Sequence, residues 1–243
     1  MTAQANTKAA YEAWHAQLGV DDSNDTPWHG LLRAYLDVER DLNGRRVLEI
    51  GCGRGDFTCW LARQPKRPTE ILAADFAVTA LQKGRAFAEG VGLTGITWEE
   101  QDIQEIKHPA ASFDTVISCE TIEHVPDPRR ALHELARVLK PGGRLYLTTP
   151  NYLGIYGLYR IYLRLRGRPY TEIGQPINRF LVLPLTCMWV TQTGLRLKVV
   201  DASGHYLLWP GHLPKDLLWF NRPKTVVKWF GLHSLIVAEK PRS

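Results

Sequence analysis

The chain of 243 residues lacks the features that mark membrane-spanning, secreted, zinc-binding or disulfide-bonded proteins. Its longest apolar run, Phe180 to Val190, is interrupted by Pro184 and is far shorter than the roughly 20 residues that span a bilayer. Its four cysteines form no CxxC pair, so neither a zinc module nor a disulfide framework is indicated. The N-terminus lacks the charged-then-apolar plan of a signal peptide. We therefore expect a cytoplasmic protein, with peripheral contact at the inner face of a membrane left open.

The composition excludes whole-chain disorder, collagen and coiled coil. Hydrophobic residues make up 44% of the chain and charged residues 23%, which are ordinary values for a globular protein. The length fits one large domain, or one domain with substantial insertions.

The net charge of +5 hides an asymmetry between the two parts of the chain. Up to Glu134 there are 21 acids and 14 Lys or Arg, a balance of −7, whereas the remainder has 4 acids and 16 bases, a balance of +12. No acid occurs between Glu134 and Glu172. The C-terminal part is therefore expected to face something anionic or a membrane surface, or simply to present a solvated basic face.

After an N-terminal helical stretch (8–18 and 27–42), strand and helix patterns alternate along the chain. Strands are predicted at 45–50, 70–75, 96–102, 113–119, 143–150, 196–202 and 234–239, with helices such as 78–89 and 129–139 between them. This alternation predicts βαβ units and a mostly parallel sheet. Ligands of such sheets bind at the carboxyl ends of the strands, so functional residues are expected directly after each strand.

A glycine loop follows the first predicted strand and has the pattern E-x-G-x-G-x-G from Glu49 to Gly55. Glycine allows a tight turn and a close approach of the ligand to the backbone. A dinucleotide fingerprint would need glycine at position 56, where this chain has Asp56. Asp75 ends the second strand, where an acid can bind ribose hydroxyls, and Asp102 follows the third.

Together these segments resemble the class I S-adenosylmethionine-dependent methyltransferases. The resemblance covers residues 45–151 and rests on VLEIGCGRG, the acid of LAADFA, the QDI segment, FDTVISCETIEHVPDP and LKPGGRLYLTTPN. It implies an α/β, Rossmann-like, seven-stranded and mostly parallel sheet with helices on both faces and an antiparallel last strand. It also implies S-adenosylmethionine contacts at Glu49, Gly51, Cys52, Gly53, Asp75, Phe76, Asp102, Ile103 and Cys119. A noncatalytic cofactor-binding subunit is the rival from another class, but it predicts lost acids or glycines in this loop, and none is lost.

We expect a single methyltransferase domain over residues 1–243. Within it, residues 1–44 form an N-terminal helical cap and residues 45–151 the cofactor-binding core. Residues 152–180 and 203–231 are insertions on the substrate side. In the cap, Trp14, His15 and His29 are second-tier candidates for the site, because this segment usually covers the cofactor in the family.

The segment after the fourth strand supplies the candidate catalytic residues Glu120, Glu123 and His124. Their spacing of i, i+3 and i+4 places all three on one face of a helical turn. Such a trio can bind a divalent ion such as Mg²⁺, or His124 can act as a general base, or the residues can be structural. The segment is similar to that of ubiquinone-biosynthesis O-methyltransferases, in which the corresponding residues bind a divalent metal.

The predicted reaction is O-methylation of a small hydroxyl acceptor, either soluble or lipid-linked or prenylated. N- or C-methylation of a small molecule stays open. RNA 2′-O-methylation is an alternative, because small-RNA methyltransferases use a similar trio with a second histidine downstream. At the corresponding place this chain has Asn178, so nucleic acid is not the expected partner.

Two insertions are expected to face the acceptor. Residues 152–168 read as a helix in which Arg160, Arg164 and Arg168 form a basic stripe, which indicates a helix lying on anionic lipid, a lid, or, less favoured, a nucleic-acid contact. The insertion at 203–231 is rich in aromatic residues and bases, which is typical of either a small capping core or a base-stacking platform. Its residues of interest are His205, Trp209, His212, Lys215, Trp219, Phe220, Arg222, Lys224, Lys228, Trp229 and Phe230.

Overall fold

A seven-stranded sheet organises the protein in a computed structural model, which describes residues 3–21, 23, 25–168, 170, 175, 177, 179–207, 215–216 and 226–242. The strands are β1 (Arg46–Ile50), β2 (Glu70–Asp75), β3 (Ile96–Glu100), β4 (Phe113–Cys119), β5 (Leu139–Pro150), β6 (Arg196–Ser203) and β9 (His233–Glu239). Two short strands, β7 (Tyr206–Leu207) and β8 (Lys215–Asp216), form a separate antiparallel pair.

The order across the sheet is β3-β2-β1-β4-β5-β9-β6. The first five strands in this order are parallel, and β9 is antiparallel to both of its neighbours. The α-helices are α1 (Ala3–Ala16), α2 (Pro27–Tyr35), α3 (Asp56–Ala62), α4 (Val78–Gly90), α5 (Pro128–Val138), α6 (Ile155–Leu165) and α7 (Leu183–Gln192). The predicted mostly parallel sheet with an antiparallel last strand is confirmed.

Central strands are buried on both faces, as parallel strands between two helical layers must be. In β1, Leu48 and Ile50 belong to one apolar cluster, with Leu132 and Leu135 of α5. Val47 points to the other face and packs in a second cluster with residues of α2 and α3. Each fully buried Leu or Ile contributes about 1.5–3 kcal/mol relative to an exposed one.

Several predicted boundaries differ from the structure by one or two residues, and those of α1, α2 and β5 differ by more. Helix α1 begins at Ala3 rather than at residue 8. The helix expected over 27–42 ends at Tyr35, because Asp37 begins a separate π-helical turn (Val38–Leu42) in which its carboxylate accepts a hydrogen bond from the Arg40 amide. The strand predicted at 143–150 begins earlier, at Leu139, and residues 140–143 appear in it as a register shift in the pairing with β4.

Helix α1 is held across the carboxyl edge of the sheet by two polar side chains, Glu12 of α1 and Lys83 of α4, which together make five hydrogen bonds. The Glu12 carboxylate accepts hydrogen bonds from the amides of Val78 (2.7 Å) and Thr79 (2.8 Å), and so caps the start of α4. The Lys83 ammonium donates to three carbonyl oxygens at the end of α1, those of His15, Ala16 and Leu18. These contacts hold α1 over the ends of β1 and β2.

The end of β5 is tied to the C-terminal elements by Asn151. Its amide nitrogen donates to the carbonyls of Trp229 (2.8 Å) and Gly231 (3.0 Å), and its oxygen accepts from the amide of Leu183 (2.9 Å). The chain then enters α6, which lies at the same edge of the sheet. None of the described helices has the length and apolar character needed to cross a membrane. The predictions for Asn178, Trp209, His212, Trp219, Phe220, Arg222 and Lys224 lie outside the described residues.

Candidate active site

A cavity of about 250 Å³ opens at the carboxyl edge of the sheet. Its walls come from the segments that follow β1, β2, β3 and β4, and from α1 and α2. All nine residues predicted to contact the cofactor line it: Glu49, Gly51, Cys52, Gly53, Asp75, Phe76, Asp102, Ile103 and Cys119. The parallel strands explain this meeting, because their carboxyl ends share one edge.

The glycine loop takes a backbone path that other residues rarely adopt. Gly51 and Gly53 have φ angles of 73° and 55°. The Gly51 amide donates to the carbonyl of Ala74 (2.8 Å), which holds the loop against the end of β2. A Cβ atom on Gly51 would lie 2.2 Å from the Thr121 hydroxyl. Glycine is therefore required here both by conformation and by space.

Asp75 links this loop to the start of α4. One carboxylate oxygen accepts from the Gly53 amide (2.8 Å) and the other from the Ala77 amide (2.9 Å). Burial raises the pKa of Asp75, although these amide contacts act in the opposite direction. A carboxylate offers about four acceptor positions, so the two oxygens can still accept hydrogen bonds from a ligand.

Glu49 is a second buried acid in the cavity wall. Its carboxylate accepts a hydrogen bond from the Thr58 hydroxyl. Burial raises the pKa of Glu49 to about 8, and the nearby acids Asp56 and Asp75 add to this effect. Burial likewise raises the pKa of the Cys52 and Cys119 thiols, so both remain protonated. A cationic ligand would find acidic groups on this wall.

The other end of the cavity is shaped for a flat, less polar group. Phe76 and Ile103 form its walls, and the ring of Tyr11 from α1 meets the Phe76 ring edge-on at 5.1 Å. Asp102 turns the chain after β3, because its carboxylate accepts the Gln104 amide (2.8 Å). These positions agree with the predicted adenine walls, which stay a prediction.

The helical turn expected over residues 120–124 does not form. Glu120 has a φ angle of 45°, in the left-handed region, and a 3-10 helix covers only Ile122–His124. Glu120 and His124 line the cavity, whereas Glu123 lies fully buried behind them and accepts a hydrogen bond from the Thr149 hydroxyl (2.9 Å). The inference that all three share one face is therefore wrong.

This arrangement does not fit the predicted Mg²⁺ ion. Within the described part of the chain, no three His, Cys, Asp or Glu side chains are grouped so as to hold a metal ion. Glu123 directs one oxygen to Thr149 rather than to the cavity. The trio Glu120, Glu123 and His124 thus gives no support to a metal site.

His124 is held by contacts on both sides of its ring. Its Nδ1 lies 2.6 Å from the carbonyl oxygen of Ile177, which can only accept, so Nδ1 carries a proton. In a neutral ring, Nε2 is then the unprotonated nitrogen. The Glu123 carboxylate lies 3.4 Å from Nε2, beyond the usual N–H···O distance of about 3.2 Å. A proton that reached Nε2 would be stabilised by this carboxylate.

Residues of α1 and α2 complete the cavity, and sequence reasoning found only some of them. Trp14, His15 and His29 line it, as the family's usual cap suggested. Tyr11 and Trp28 also line it and were missed. No local pattern marks these two aromatic residues, because their position depends on how α1 and α2 pack across the sheet.

Residues 152–168 include a helix, as predicted, but not the predicted basic stripe. Helix α6 ends at Leu165, so Arg168 lies beyond it. The Arg160 guanidinium is turned inward over the rings of Tyr152 (4.1 Å) and Tyr170 (5.0 Å). Stacking on aromatic rings is favourable for arginine and removes Arg160 from the outer surface.

The fold and the position of the cavity are typical of α/β domains that bind a nucleotide-type cofactor at the carboxyl edge of the sheet. Comparison with known families matches residues 48–147 to the family described as a methyltransferase domain. The chain is 36% identical over 118 residues to a ubiquinone biosynthesis O-methyltransferase of Paracidovorax citrulli, and the alignment covers 48% of each chain. The chain thus spans about half the length of the curated relatives it matches.

Two solved structures extend the likeness to most of the chain. An S-adenosylmethionine-dependent methyltransferase from Mesorhizobium loti has a TM-score of 0.62 at 19% identity, covering 89% of this chain and 99% of the other. The [4+2]-cyclase SpnF has a TM-score of 0.66 at 16% identity, covering 100% and 97%. At such identities the likeness concerns the fold alone. Residues 48–147 match a methyltransferase domain, which agrees with the predicted family of class I S-adenosylmethionine-dependent methyltransferases.

Proposed function

We propose that this protein is an S-adenosylmethionine-dependent O-methyltransferase of a small hydroxyl compound. The observation that carries the proposal is His124, which lies in the wall of the acid-lined cavity with Nδ1 protonated and with a buried carboxylate beside Nε2. The ubiquinone biosynthesis O-methyltransferase relative supports a hydroxyl acceptor.

The cavity suits S-adenosylmethionine in charge and shape. Glu49 and Asp75 are the acids that would hold its cationic and ribose parts, and Phe76 and Ile103 would hold its adenine. When bound, the cofactor supplies an electrophilic methyl group on a positively charged sulfur. The protein's own contribution is to orient the two reactants and exclude water, which can lower the barrier by several kcal/mol.

A hydroxyl acceptor must also lose its proton, and His124 is suited to receive it. The hydrogen bond to Ile177 keeps Nδ1 protonated, so Nε2 is the basic nitrogen. Glu123 would then stabilise the imidazolium, and Glu120, at the cavity wall, would help to position the acceptor. A positioned base of this kind contributes about 10²–10⁴ in rate.

Cofactor binding can be tested without knowing the acceptor. Asp75→Asn keeps the size of the side chain but removes its charge. The affinity for S-adenosylmethionine should therefore fall at least tenfold in a calorimetric titration, which corresponds to about 1.4 kcal/mol of binding free energy. Asp114→Asn is the matched control, since Asp114 is a partly buried acid at the opposite edge of the sheet, bonded to the Arg46 amide. Equal affinities for Asp75→Asn and the wild type would refute the assignment of this acid.

The reaction can be tested with methyl-labelled cofactor and three acceptor pools: a lipid extract, sugar nucleotides and RNA. We expect label in a hydroxyl compound of one of the first two pools, and loss of this label with His124→Asn. Glu123→Gln should reduce the rate less and shift its pH dependence, because the imidazolium loses its partner. Label in RNA would favour the 2′-O-methyltransferase alternative, and label on nitrogen or carbon would overturn O-methylation.

A further inference from the structure

Helix α6 turns its apolar side toward solvent. Leu158, Ile161, Tyr162 and Leu165 have the spacing i, i+3, i+4 and i+7 and are 68%, 48%, 53% and 81% exposed. With Ile155 and Tyr159, which are also exposed, they cover an arc of about 160° at roughly 100° per residue. We call these six residues the outer face of α6. In an ordinary surface helix such an arc faces the core.

The opposite side of α6 is fixed to the protein, so the helix is not free to roll over. Gly157 is buried, and a Cβ atom there would lie 1.8 Å from the carbonyl oxygen of Tyr152. The Tyr156 ring meets the Tyr206 ring edge-on at 5.3 Å. The Arg160 guanidinium stacks on Tyr152. The packing of the inner side therefore keeps the apolar residues outside.

Positive charge borders the outer face. Arg164, Arg166 and Arg168 are exposed at its end, and no acid occurs in the sequence between Glu134 and Glu172. Apolar and tyrosine side chains beside arginines are the composition of helices that lie in the interface of an anionic bilayer. We propose that the outer face of α6 is the surface by which this protein binds an anionic lipid bilayer.

A second copy of the chain fits the outer face less well. In a two-fold dimer the same patch meets itself, which would bring Arg164, Arg166 and Arg168 close to their counterparts. The helix itself contains no acid that could offset this repulsion, since the sequence has none from 135 to 171. An anionic bilayer instead attracts the arginines and buries the apolar residues in one step. The cavity opens at the same edge of the sheet, so binding would bring it close to the lipid surface.

The test is sedimentation of the full chain with vesicles of phosphatidylcholine containing about one-third phosphatidylglycerol, in low and high salt. We expect binding in low salt, weakening in high salt, and little binding to phosphatidylcholine alone. Neutralising the three arginines should weaken binding by about fivefold for each arginine. The variants are Arg164→Gln, Arg166→Gln and Arg168→Gln together, and Leu158→Gln with Leu165→Gln for the apolar residues.

Matched controls show whether vesicle binding depends on the outer face of α6, or on positive charge and exposed apolar residues anywhere on the protein. Arg63→Gln, Lys66→Gln and Arg67→Gln remove the same charge from exposed positions before β2, at the amino edge of the sheet. Val91→Gln removes an exposed apolar residue at the end of α4. Both should bind vesicles like the wild type. Every variant should keep its affinity for S-adenosylmethionine, which shows that it is folded.

Three results would overturn the proposal. One is a wild-type protein that does not sediment with anionic vesicles in low salt. Another is equal loss of binding in the control with neutralised residues 63–67. A third is a dimer in solution that Leu158→Gln with Leu165→Gln dissociates, since a second copy would then occupy the outer face. None of these measurements uses methyl transfer, so the result is independent of the proposed function.

Discussion

Mild acid should destabilise this protein, because three of its histidines are buried as neutral imidazoles. Burial lowers the pKa of His15, His29 and His233 to about 4 each, against an ordinary value of 6.5. Arg54 adds to the effect at His15 and Arg33 at His29. Below pH 6.5 the unfolded chain binds protons that the folded chain cannot bind. The free energy of unfolding therefore falls as the pH drops from 6.5 toward 4.

The size of the effect follows from these values. Between pH 7 and pH 5 each histidine should lower the free energy of unfolding by about 2 kcal/mol. Glu49 acts in the opposite direction: with its pKa raised to about 8, the folded protein keeps a proton that the unfolded chain releases above its ordinary value of 4.5. Between pH 7 and pH 5, Glu49 should therefore raise the free energy of unfolding by about 2 to 3 kcal/mol. Asp75, whose pKa burial also raises, acts in the same sense as Glu49.

The expected net loss is therefore about 3 kcal/mol from pH 7 to pH 5, or roughly 10 °C in Tm for a domain of this size. Urea unfolding of the cofactor-free protein at pH 7, 6 and 5, followed by tryptophan fluorescence, measures it. Carboxyls whose pKa is lowered, such as Glu134, lose their stabilisation only below about pH 4.5 and stay outside this interval.

Two variants separate the contributions. His233→Gln should flatten the pH dependence by about 2 kcal/mol, since burial is the sole cause of its lowered pKa. Glu49→Gln removes the opposing contribution and should make the loss steeper by about the same amount. A free energy of unfolding that stays constant from pH 7 to pH 5 would refute this reasoning. So would an unchanged slope in His233→Gln.

Three further predictions concern the glycine loop, the core and α1. Gly51→Ala should abolish S-adenosylmethionine binding in calorimetry, because its Cβ would lie 2.2 Å from the Thr121 hydroxyl, whereas Gly19→Ala, with open space around it, should bind normally. Tyr146→Phe should lower the free energy of unfolding by about 1–3 kcal/mol in urea titrations, since it leaves buried Asp41 without its hydroxyl donor. Lys83→Met should release the end of α1 and speed cofactor dissociation severalfold in stopped-flow measurements, and an unchanged rate would show that α1 does not gate the cavity.

The sequence alone predicted which residues at the strand ends line the cavity. Glu49, Asp75 and Cys119 lie at the carboxyl ends of their strands, and the glycine loop follows β1 directly. Strands of a parallel sheet end at one edge. Local order along the chain therefore fixes which residues meet. The conformation of Gly51 was also implied by residue type, because a tight loop at a strand end needs a positive φ angle.

Only the tertiary structure decided the roles that depend on distant contacts. The spacing of Glu120, Glu123 and His124 suggested one helical face, but the left-handed backbone at Glu120 breaks the turn and separates Glu123 from the cavity. His124 is oriented by the carbonyl of Ile177, 53 residues away, which no local pattern reveals.

Helix α6 is an element that the sequence predicted without predicting its orientation. Its sequence correctly predicted a helix with apolar and basic residues, because periodicity fixes which side chains share a face. Periodicity does not say which face packs against the protein. That was decided by Gly157, which fits closely against the backbone carbonyl of Tyr152, and by Arg160, which stacks on the Tyr152 ring. These contacts form only when the chain has folded, and they leave the apolar face outside.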